Sequence, residues 1–400
     1  MTVYDSVIVG AGPAGSTAAR LLAERGARVL MLDRARFPRD KPCGGAVTVQ
    51  AAGQAGIDLS PVIERTITEA RVSFRLGRPF ARSWPEPLAY MTQRCRLDAY
   101  LAEQAAAAGV DFRDGVSVRG VELTNGAAVV QTSGDTYRTR TLVGADGANG
   151  VVARAVGLAP LAGAAIALEA NIPATDRLMA EWERAIALDF GGIPGGYGWL
   201  FPKGDHLNVG VGGWRWVGPT LRPRLSALCR FLQLDESKLW GLRGHHLPMR
   251  RAGARLWRGP ALLAGDAAGL VDPLSGEGID AAFVSGRLAA NTIGPYLAGE
   301  VTDLAAYEAA VERELAPNLE VSHKLQAVFQ RMPRPCVAIM RRSDRFWGVL
   351  CNLIRGETSY AEVRQRLGPL RLALDLTARI AGRQRPSEAR PIVDNRYPGQ

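Results

Sequence analysis

Two glycine-rich turns and one short aromatic strand hold the residues of this chain that could do chemistry. The run Gly10-Ala11-Gly12-Pro13-Ala14-Gly15 follows an apolar stretch, VYDSVIV, and precedes STAARLLAERG, which reads as a helix with Gly26 as its C-cap. ARVLMLD then reads as a second buried strand ending at Asp33. In such a strand–turn–helix unit Gly10 permits the tight turn, Gly12 lets a pyrophosphate approach the backbone, and Gly15 lets helix and strand pack closely. The helix N-terminus presents N–H groups to phosphate, and Asp33 is placed for a ribose 2′-hydroxyl. A tight turn that holds no nucleotide is the alternative; the strand, the helix and the terminal acid together favour a dinucleotide.

Further along, Ala264-Gly265-Asp266 closes another buried strand, and Pro273-Leu274-Ser275-Gly276-Glu277-Gly278-Ile279 opens a helix. The first puts a carboxylate at a strand end, suited to ribityl or ribose hydroxyls. The second aims helix N–H groups outward, suited to the pyrimidine carbonyl of a reduced, anionic flavin. Arg94-x-x-Leu97-Asp98 at a helix start and Gly144-Ala145-Asp146-Gly147 complete the set.

Tyr197, Trp199 and Phe201 alternate along YGWLFP, so a strand there carries all three on one face. A flat aromatic wall binds an apolar rod by area and dispersion; an ordinary core face is the competing reading. In a chain only 7% aromatic, their Gly and Pro neighbours favour the ligand wall. Cys43, close to Lys41 and followed by Gly44 and Gly45, is either a small buried hydrophobe or a thiol set beside a flavin. His206, His245, His246 and His323 are scattered, and His245-His246 on a strand point to opposite faces, so no metal site is expected.

The elements that must position these residues follow one another in an interleaved order. Residues 66–90 read as antiparallel strands, 96–109 as a helix, and 116–143 as a meander turning at Asn125-Gly126. Residues 163–213 read as strands with Gly-rich connections, 219–234 and 277–298 as helices, everything after about 300 as helical, and the last dozen as a polar tail. Nucleotide signals fall at 10–33, 94–146 and 261–279, with sheet-rich material between them. The expected fold class is α/β (an α+β composite). A discontinuous Rossmann-like domain (1–65, 92–160 and 257–300) carries an inserted antiparallel-sheet substrate domain (66–91 and 161–256) and a helical C-terminal region (301–400).

With 400 residues, 47% of them hydrophobic, the chain is too apolar for disorder and long enough for two or three domains. No stretch approaches the roughly 18 uncharged apolar residues of a membrane span, and the N-terminus lacks a basic segment leading into an apolar one. The expectation is a soluble cytoplasmic protein. Forty-nine Lys and Arg against 39 Asp and Glu give a formal charge of +10, nearly all of it Arg. That suits an anionic membrane surface or a phosphorylated substrate; with no nucleic-acid module in the sequence, nucleic acid is not an expected partner. Five dispersed cysteines, never in CxxC spacing, read as reduced thiols. Residues 324–356 mix apolar runs with Arg331, Arg334, Arg341, Arg342, Arg345 and Arg355. Such a basic amphipathic segment either lies at a membrane interface, peripheral to its inner face, or packs on its own domain with a solvated basic side.

Taken in order, GxGxxG, RxxLD, GADG, GD and PxxGEGI resemble the FAD-binding fold of aromatic hydroxylases and their relatives. Lys41-Pro42-Cys43-Gly44-Gly45 and Tyr197-Gly198-Trp199-Leu200-Phe201-Pro202 further resemble the PCGG and YxWxFP segments of the geranylgeranyl reductase family. The resemblance covers roughly residues 3–300. It implies a reductase that saturates carbon–carbon double bonds of a polyprenyl chain, hydride arriving from flavin N5 and a proton reaching the other carbon. Carried over by position, it implies FAD contacts at Gly10, Gly12, Ala14, Gly15, Asp33, Cys43, Gly44, Gly45, Arg94, Val118, Asp266, Gly278 and Ile279. Asp33 stands where Glu is commoner, which shortens the reach to the ribose. The implied substrate is a polyprenyl lipid or prenyl diphosphate held by Tyr197, Trp199, Phe201 and Pro202, with Cys43 as a candidate catalytic group. The sequence has no second GxGxxG, so the electron donor is NAD(P)H bound transiently or a ferredoxin-like protein. A monooxygenase of the same fold and a non-catalytic flavin-bearing prenyl-lipid carrier are the alternatives. A halogenase fits less well, because that class's Trp-x-Trp-x-Ile segment has no match.

Overall fold

Five short strands, all parallel, form the floor beneath the first glycine turn. A computed structural model describes residues 3–366 apart from 125 and 160, together with 368, 371 and 375. Across this floor the order is Ala261–Leu263, Thr136–Gly144, Val3–Val9, Val29–Leu32 and Asp111–Arg113. Val29–Leu32, Ala261–Leu263 and the last halves of Val3–Val9 and Thr136–Gly144 are buried apolar runs, the pattern a covered parallel sheet requires; Asp111–Arg113 at the edge is only half-buried. The meander Val118–Thr124, Ala127–Thr132 and Thr136–Gly144 hangs from one of them. Of its expected turn, Asn125 lies outside the described residues, as does the polar tail.

Helix Pro13–Ala23 begins earlier than the pattern suggests because Pro13 at its first position needs no hydrogen-bond donor there. Its C-cap is Glu24, not Gly26; Gly26 instead takes φ +84° two residues later, where the chain turns into the next strand. The long helix Ile279–Ala298 crosses Pro13–Ala23 closely, since a Cβ on Gly286 would lie 2.4 Å from the Ala14 carbonyl oxygen.

A second sheet of seven strands runs Trp240–Arg250, Leu161–Pro173, His206–Trp214, Tyr197–Pro202, Ala185–Phe190, Glu69–Phe74 and Phe80–Ser83. It is antiparallel apart from one pair: Ala185–Phe190 lies parallel to Glu69–Phe74, because more than a hundred residues of intervening chain separate the two strands. Within residues 163–213, read as strands with Gly-rich connections, Asp176–Glu181 is helical, its start capped by the Thr175 hydroxyl. Helix Leu221–Phe231 covers one face of this sheet, burying Leu225 and Leu228 with Leu200, Val209 and Val211. The opposite face carries the aromatic residues. A three-stranded antiparallel sheet, Ala46–Thr48, Ala89–Met91 and Arg65–Ile67, brings Ile67 and Met91 against Trp199 and Phe201 there.

The basic stretch 324–356 breaks at Pro333 and Ser343 into the end of Ala316–Arg331 and the helices Pro333–Arg342 and Asp344–Arg355. Val337, Trp347 and Cys351 are buried against Ala70 and Val72, and Phe329 joins Phe74 and Phe190 on the same cluster. Trp347 Nε1 donates to the Ser83 carbonyl at 2.9 Å, and Arg355 Nη1 to that of Pro87 at 2.6 Å. These helices therefore cap the remaining part of the aromatic face. Among the described residues no helix is long and apolar enough to cross a membrane.

Candidate active site

The first glycine turn folds because two of its glycines are pressed and one is left open. A Cβ on Gly10, which sits at φ +102°, would lie 2.2 Å from the Ala145 carbonyl oxygen; one on Gly15 would lie 1.8 Å from that of Gly10. Gly12 meets nothing nearer than the guanidinium nitrogens of Arg39 at 3.7 Å and Arg94 at 3.9 Å. A strand–helix turn with an open backbone facing two cations is a cradle for a pyrophosphate.

Both cations are fixed from behind. Arg94 grips Asp98 with two hydrogen bonds, at 2.8 and 2.7 Å, and Arg39 reaches the same fully buried carboxylate at 2.8 Å. Burial works against the charge of Arg94, but Asp98 and then Cys43 outweigh it and hold the guanidinium protonated. Asp33 accepts the Ala11 and Ala35 N–H groups, each at 2.9 Å, with Arg39 Nε at 3.6 Å. Val118 begins its meander strand two residues after Val116, whose N–H donates to the Asp33 carbonyl.

Asp266 lies at the other end of this cradle, where Ala14 and Gly265 adjoin. Burial would raise its carboxyl, yet Lys41 Nζ at 3.0 Å and His245 Nε2 at 3.8 Å together drive it well below the usual range. Gly278 keeps the next helix close: a Cβ there would sit 3.1 Å from Asp266 Oδ1. Helix Ile279–Ala298 starts at Gly278 with no capping side chain on that residue. Asp33, Arg94, Asp266, Gly278 and Ile279, remote in sequence, thus ring a single cradle suited to the dinucleotide part of FAD.

On the second sheet Tyr197, Trp199 and Phe201 share a face, with ring centroids 6.0 and 6.2 Å apart. Pro202 falls on the opposite face, with Gly198 and Leu200, toward helix Leu221–Phe231. Trp199 lies across Gly210, where a Cβ would be 2.1 Å from Cζ2, and its Nε1 donates to Asn208 Oδ1 at 2.8 Å. The Tyr197 hydroxyl donates to the Ser275 carbonyl.

The Cys43-Gly44-Gly45 loop lies directly on this wall. A Cβ on Gly44 would stand 2.7 Å from Phe201 Cδ2 and 3.4 Å from Trp199 Nε1. Lys203 holds the loop from below, donating to the Gly44 carbonyl and, at 3.0 Å, to that of Thr92. Cys43 is half-buried; its N–H donates to Glu169 Oε1 at 2.6 Å, and its Sγ accepts the Gly45 N–H at 3.4 Å.

Sequence reasoning did not single out Arg39, Glu169, Lys203 or Asn208. Burial pushes Glu169 up to about 7, against the lowering pull of the Cys43 N–H, Lys203 and Asn208, while Asp40 adds a smaller upward push. Burial likewise brings Lys203 down to about 8, opposed by Cys43, Glu169 and Glu64. Both groups sit beneath the loop, Glu169 accepting the Cys43 N–H and Lys203 donating to the Gly44 and Thr92 carbonyls. A usable signal was present: one Glu inside the apolar strand AAIALEANI, and one of only four lysines in the chain. Among the described residues no cluster of His, Cys, Asp and Glu could hold a metal.

The sequence profile of an FAD binding domain matches residues 3–183. The chloroplastic geranylgeranyl diphosphate reductase of rice is 32% identical over 81% of this chain and 74% of its own length. The menaquinone reductase of Mycolicibacterium smegmatis is 32% identical over 83% of this chain and 86% of its own. Of solved structures, a geranylgeranyl bacteriochlorophyll reductase-like protein from Thermoplasma acidophilum superposes with a TM-score of 0.76 at 25% identity, covering 92% of this chain and 100% of that one. A flavin-dependent brominase, 20% identical with a TM-score of 0.73 over 95% of this chain and 100% of that one, shares the fold.

Proposed function

This chain belongs to the geranylgeranyl reductase family of FAD-dependent oxidoreductases, and from that premise we propose that it reduces carbon–carbon double bonds of a polyprenyl chain laid along Tyr197, Trp199 and Phe201. One observation carries the reading. The Cys43-Gly44-Gly45 loop packs on the aromatic wall through Gly44, and Lys41, two residues before it, pairs with Asp266 of the cofactor cradle at 3.0 Å, so wall and cradle meet at one segment. Bound FAD supplies the electron pair that reaches the alkene as hydride.

The protein's own work is positioning, dryness and one proton. Trp199 and Phe201 are 7% and 9% exposed, so the bond to be reduced lies away from water, and its apolar surroundings favour a rod without polar groups. Hydride on one carbon requires a proton on the other. Glu169, whose carboxyl burial raises to about 7, is the candidate donor: its Oε1 accepts the Cys43 N–H at 2.6 Å, which leaves the acidic proton to Oε2. The Cys43 thiol is the other donor within the loop. Asp266, with Lys41 and His245 around it, would hold the ribityl hydroxyls of the cofactor, and NAD(P)H or a ferredoxin-like protein would be its electron donor.

The test is anaerobic turnover of a polyprenyl substrate with photoreduced enzyme, read by product mass. Two hydrogens gained per reduced bond support the proposal. Oxygen gained under air transfers the chain to the monooxygenase reading, and bound lipid without any turnover to the carrier reading.

A further inference from the structure

One buried amide lies between the wall and the acid. Asn208, on the strand His206–Trp214, has Asn171 and Phe201 as register partners, one from each side. Asn171 follows Glu169 by two residues and Phe201 follows Trp199 by two, so Asn208 sits diagonally between the carboxyl and the indole on one face. Its neighbours Leu207 and Val209 point the other way, into the core with Leu200. Asn208 is 3% exposed, so the polar atoms of its amide need partners within the protein.

The indole decides which way that amide points. Trp199 Nε1 can only donate, so the Asn208 oxygen must face it, and Oδ1 accepts the bond at 2.8 Å. The nitrogen is thereby turned to the other side. One of its hydrogens goes to Asn171 Oδ1 at 3.0 Å, and the second faces the Glu169 carboxyl, where it favours the charged form. Exchanging oxygen and nitrogen would set donor against donor at the indole and acceptor against acceptor at Asn171. Other groups face the same carboxyl: Lys203 just after the wall strand, Asp40 and the Cys43 N–H from the loop, and Arg243, its register partner, which pairs with Asp40. His206, two residues from Asn208 on the same face, pairs with Asp205 at 2.7 Å.

We propose that Asn208 is a positioning residue for the reduction: one amide holds the Trp199 indole by its oxygen and the Glu169 carboxyl by its nitrogen, and so fixes where the alkene lies relative to its proton donor. The inference rests on the polyprenyl-reductase reading, with Glu169 as donor, and adds to it a coupling between wall and acid. A substrate that tilts the indole draws the amide away from the carboxyl, so a misplaced double bond meets a weaker acid.

The experiment uses FAD-loaded protein and two variants. Asn208→Asp keeps an oxygen for the indole and loses the amide hydrogens; Asn208→Leu loses both. Two readouts do not depend on turnover. One is the NMR signal of the Trp199 indole N–H, identified by its absence in Trp199→Phe. The other is the infrared band of the protonated Glu169 carboxyl, identified by its absence in Glu169→Gln. Asn208→Asp should leave the indole signal in place and lower kcat with KM for the polyprenyl substrate near that of wild type. It should also move the Glu169 titration, and with it the falling limb of the pH–rate profile, up by about one pH unit, because a second carboxyl now faces the first. Asn208→Leu should shift the indole signal as well and raise KM at least tenfold. A Glu169 titration unmoved in both variants overturns the proposal, as does an indole signal that Asn208→Leu leaves unchanged. A lower melting temperature with the pH profile intact makes Asn208 a packing residue and overturns it too. If both spectroscopic shifts appear in a protein that turns over no polyprenyl substrate, the prenyl reading fails and the clamp stands.

Discussion

Glu169 and Trp199 are both register partners of Gly210, one from each side, so the carboxyl and the indole lie in one row on the same face of the sheet. Only a residue without a side chain lets the indole lie flat between them, because a Cβ on Gly210 would be 2.1 Å from the ring. The backbone therefore sets the proposed proton source beside the proposed substrate wall.

Gly210→Ala is expected to push Trp199 off this row. Overpacking a filled site costs about 1–3 kcal/mol, so the melting temperature falls by several degrees while the flavin absorbance is retained. Polyprenyl turnover should drop at least tenfold. Wild-type turnover in the alanine variant sinks the idea that the indole position matters.

Glu169→Gln keeps an oxygen for the Cys43 N–H and removes the proton. Charged groups near the wild-type carboxyl are Lys203, Asp40 and Arg243, the last being its register partner and paired with Asp40. In wild type, turnover should decline as pH rises through about 7, where the proton is lost. The variant should lose that limb of the profile along with most of its rate. Stability supplies a second reading. A carboxyl raised from 4.5 to about 7 binds more protons folded than unfolded, so stability falls with rising pH across that window. At pH 8 the glutamine variant should be more stable than wild type by up to roughly 3 kcal/mol, and at pH 4 the two should agree.

Gly12→Asp introduces a carboxylate whose Cβ starts 3.7 and 3.9 Å from the Arg39 and Arg94 nitrogens. It would take both guanidiniums and occupy the place of the pyrophosphate. The variant should fold, by circular dichroism, yet purify colourless and stay so after reconstitution. Yellow protein with one FAD per chain overturns the cradle.

Trp199→Ala removes a buried ring and leaves Asn208 without its indole donor. Loss of a buried aromatic costs about 3–5 kcal/mol, so a lowered melting temperature is expected together with retained FAD and turnover reduced at least tenfold. Trp199→Phe should recover much of the activity. If the phenylalanine variant is stable and inactive, the indole N–H matters more than the wall.

The strands around the glycine turn, the meander and the long helix were legible because each couples an unambiguous period to a capping or turning residue. So was the face shared by Tyr197, Trp199 and Phe201, since alternation on a strand decides it. Glu169 and Lys203 were not. Their importance comes from burial beneath a loop more than a hundred positions away, and no local pattern encodes that burial. The basic run 324–356 left two readings open because an amphipathic helix presents the same face to a membrane and to its own sheet; Val337, Trp347 and Cys351 pack on Ala70 and Val72, while Met332 and Ile339 stay exposed. The parallel pairing of Ala185–Phe190 with Glu69–Phe74 depends on a crossover through the first sheet, which periodicity does not register.

The helices after residue 315 close the outer half of the aromatic face, yet they add none of the residues that ring the cofactor cradle. On the proposed reading, the outer cover of the lipid site and the cofactor cradle lie in separate stretches of the gene, joined where the Leu274 N–H donates to the Ser322 hydroxyl at 3.1 Å. On that reading, a change in these helices would alter which lipids fit and leave the cradle residues as they are, provided Trp347 and Arg355 keep their anchors on Ser83 and Pro87.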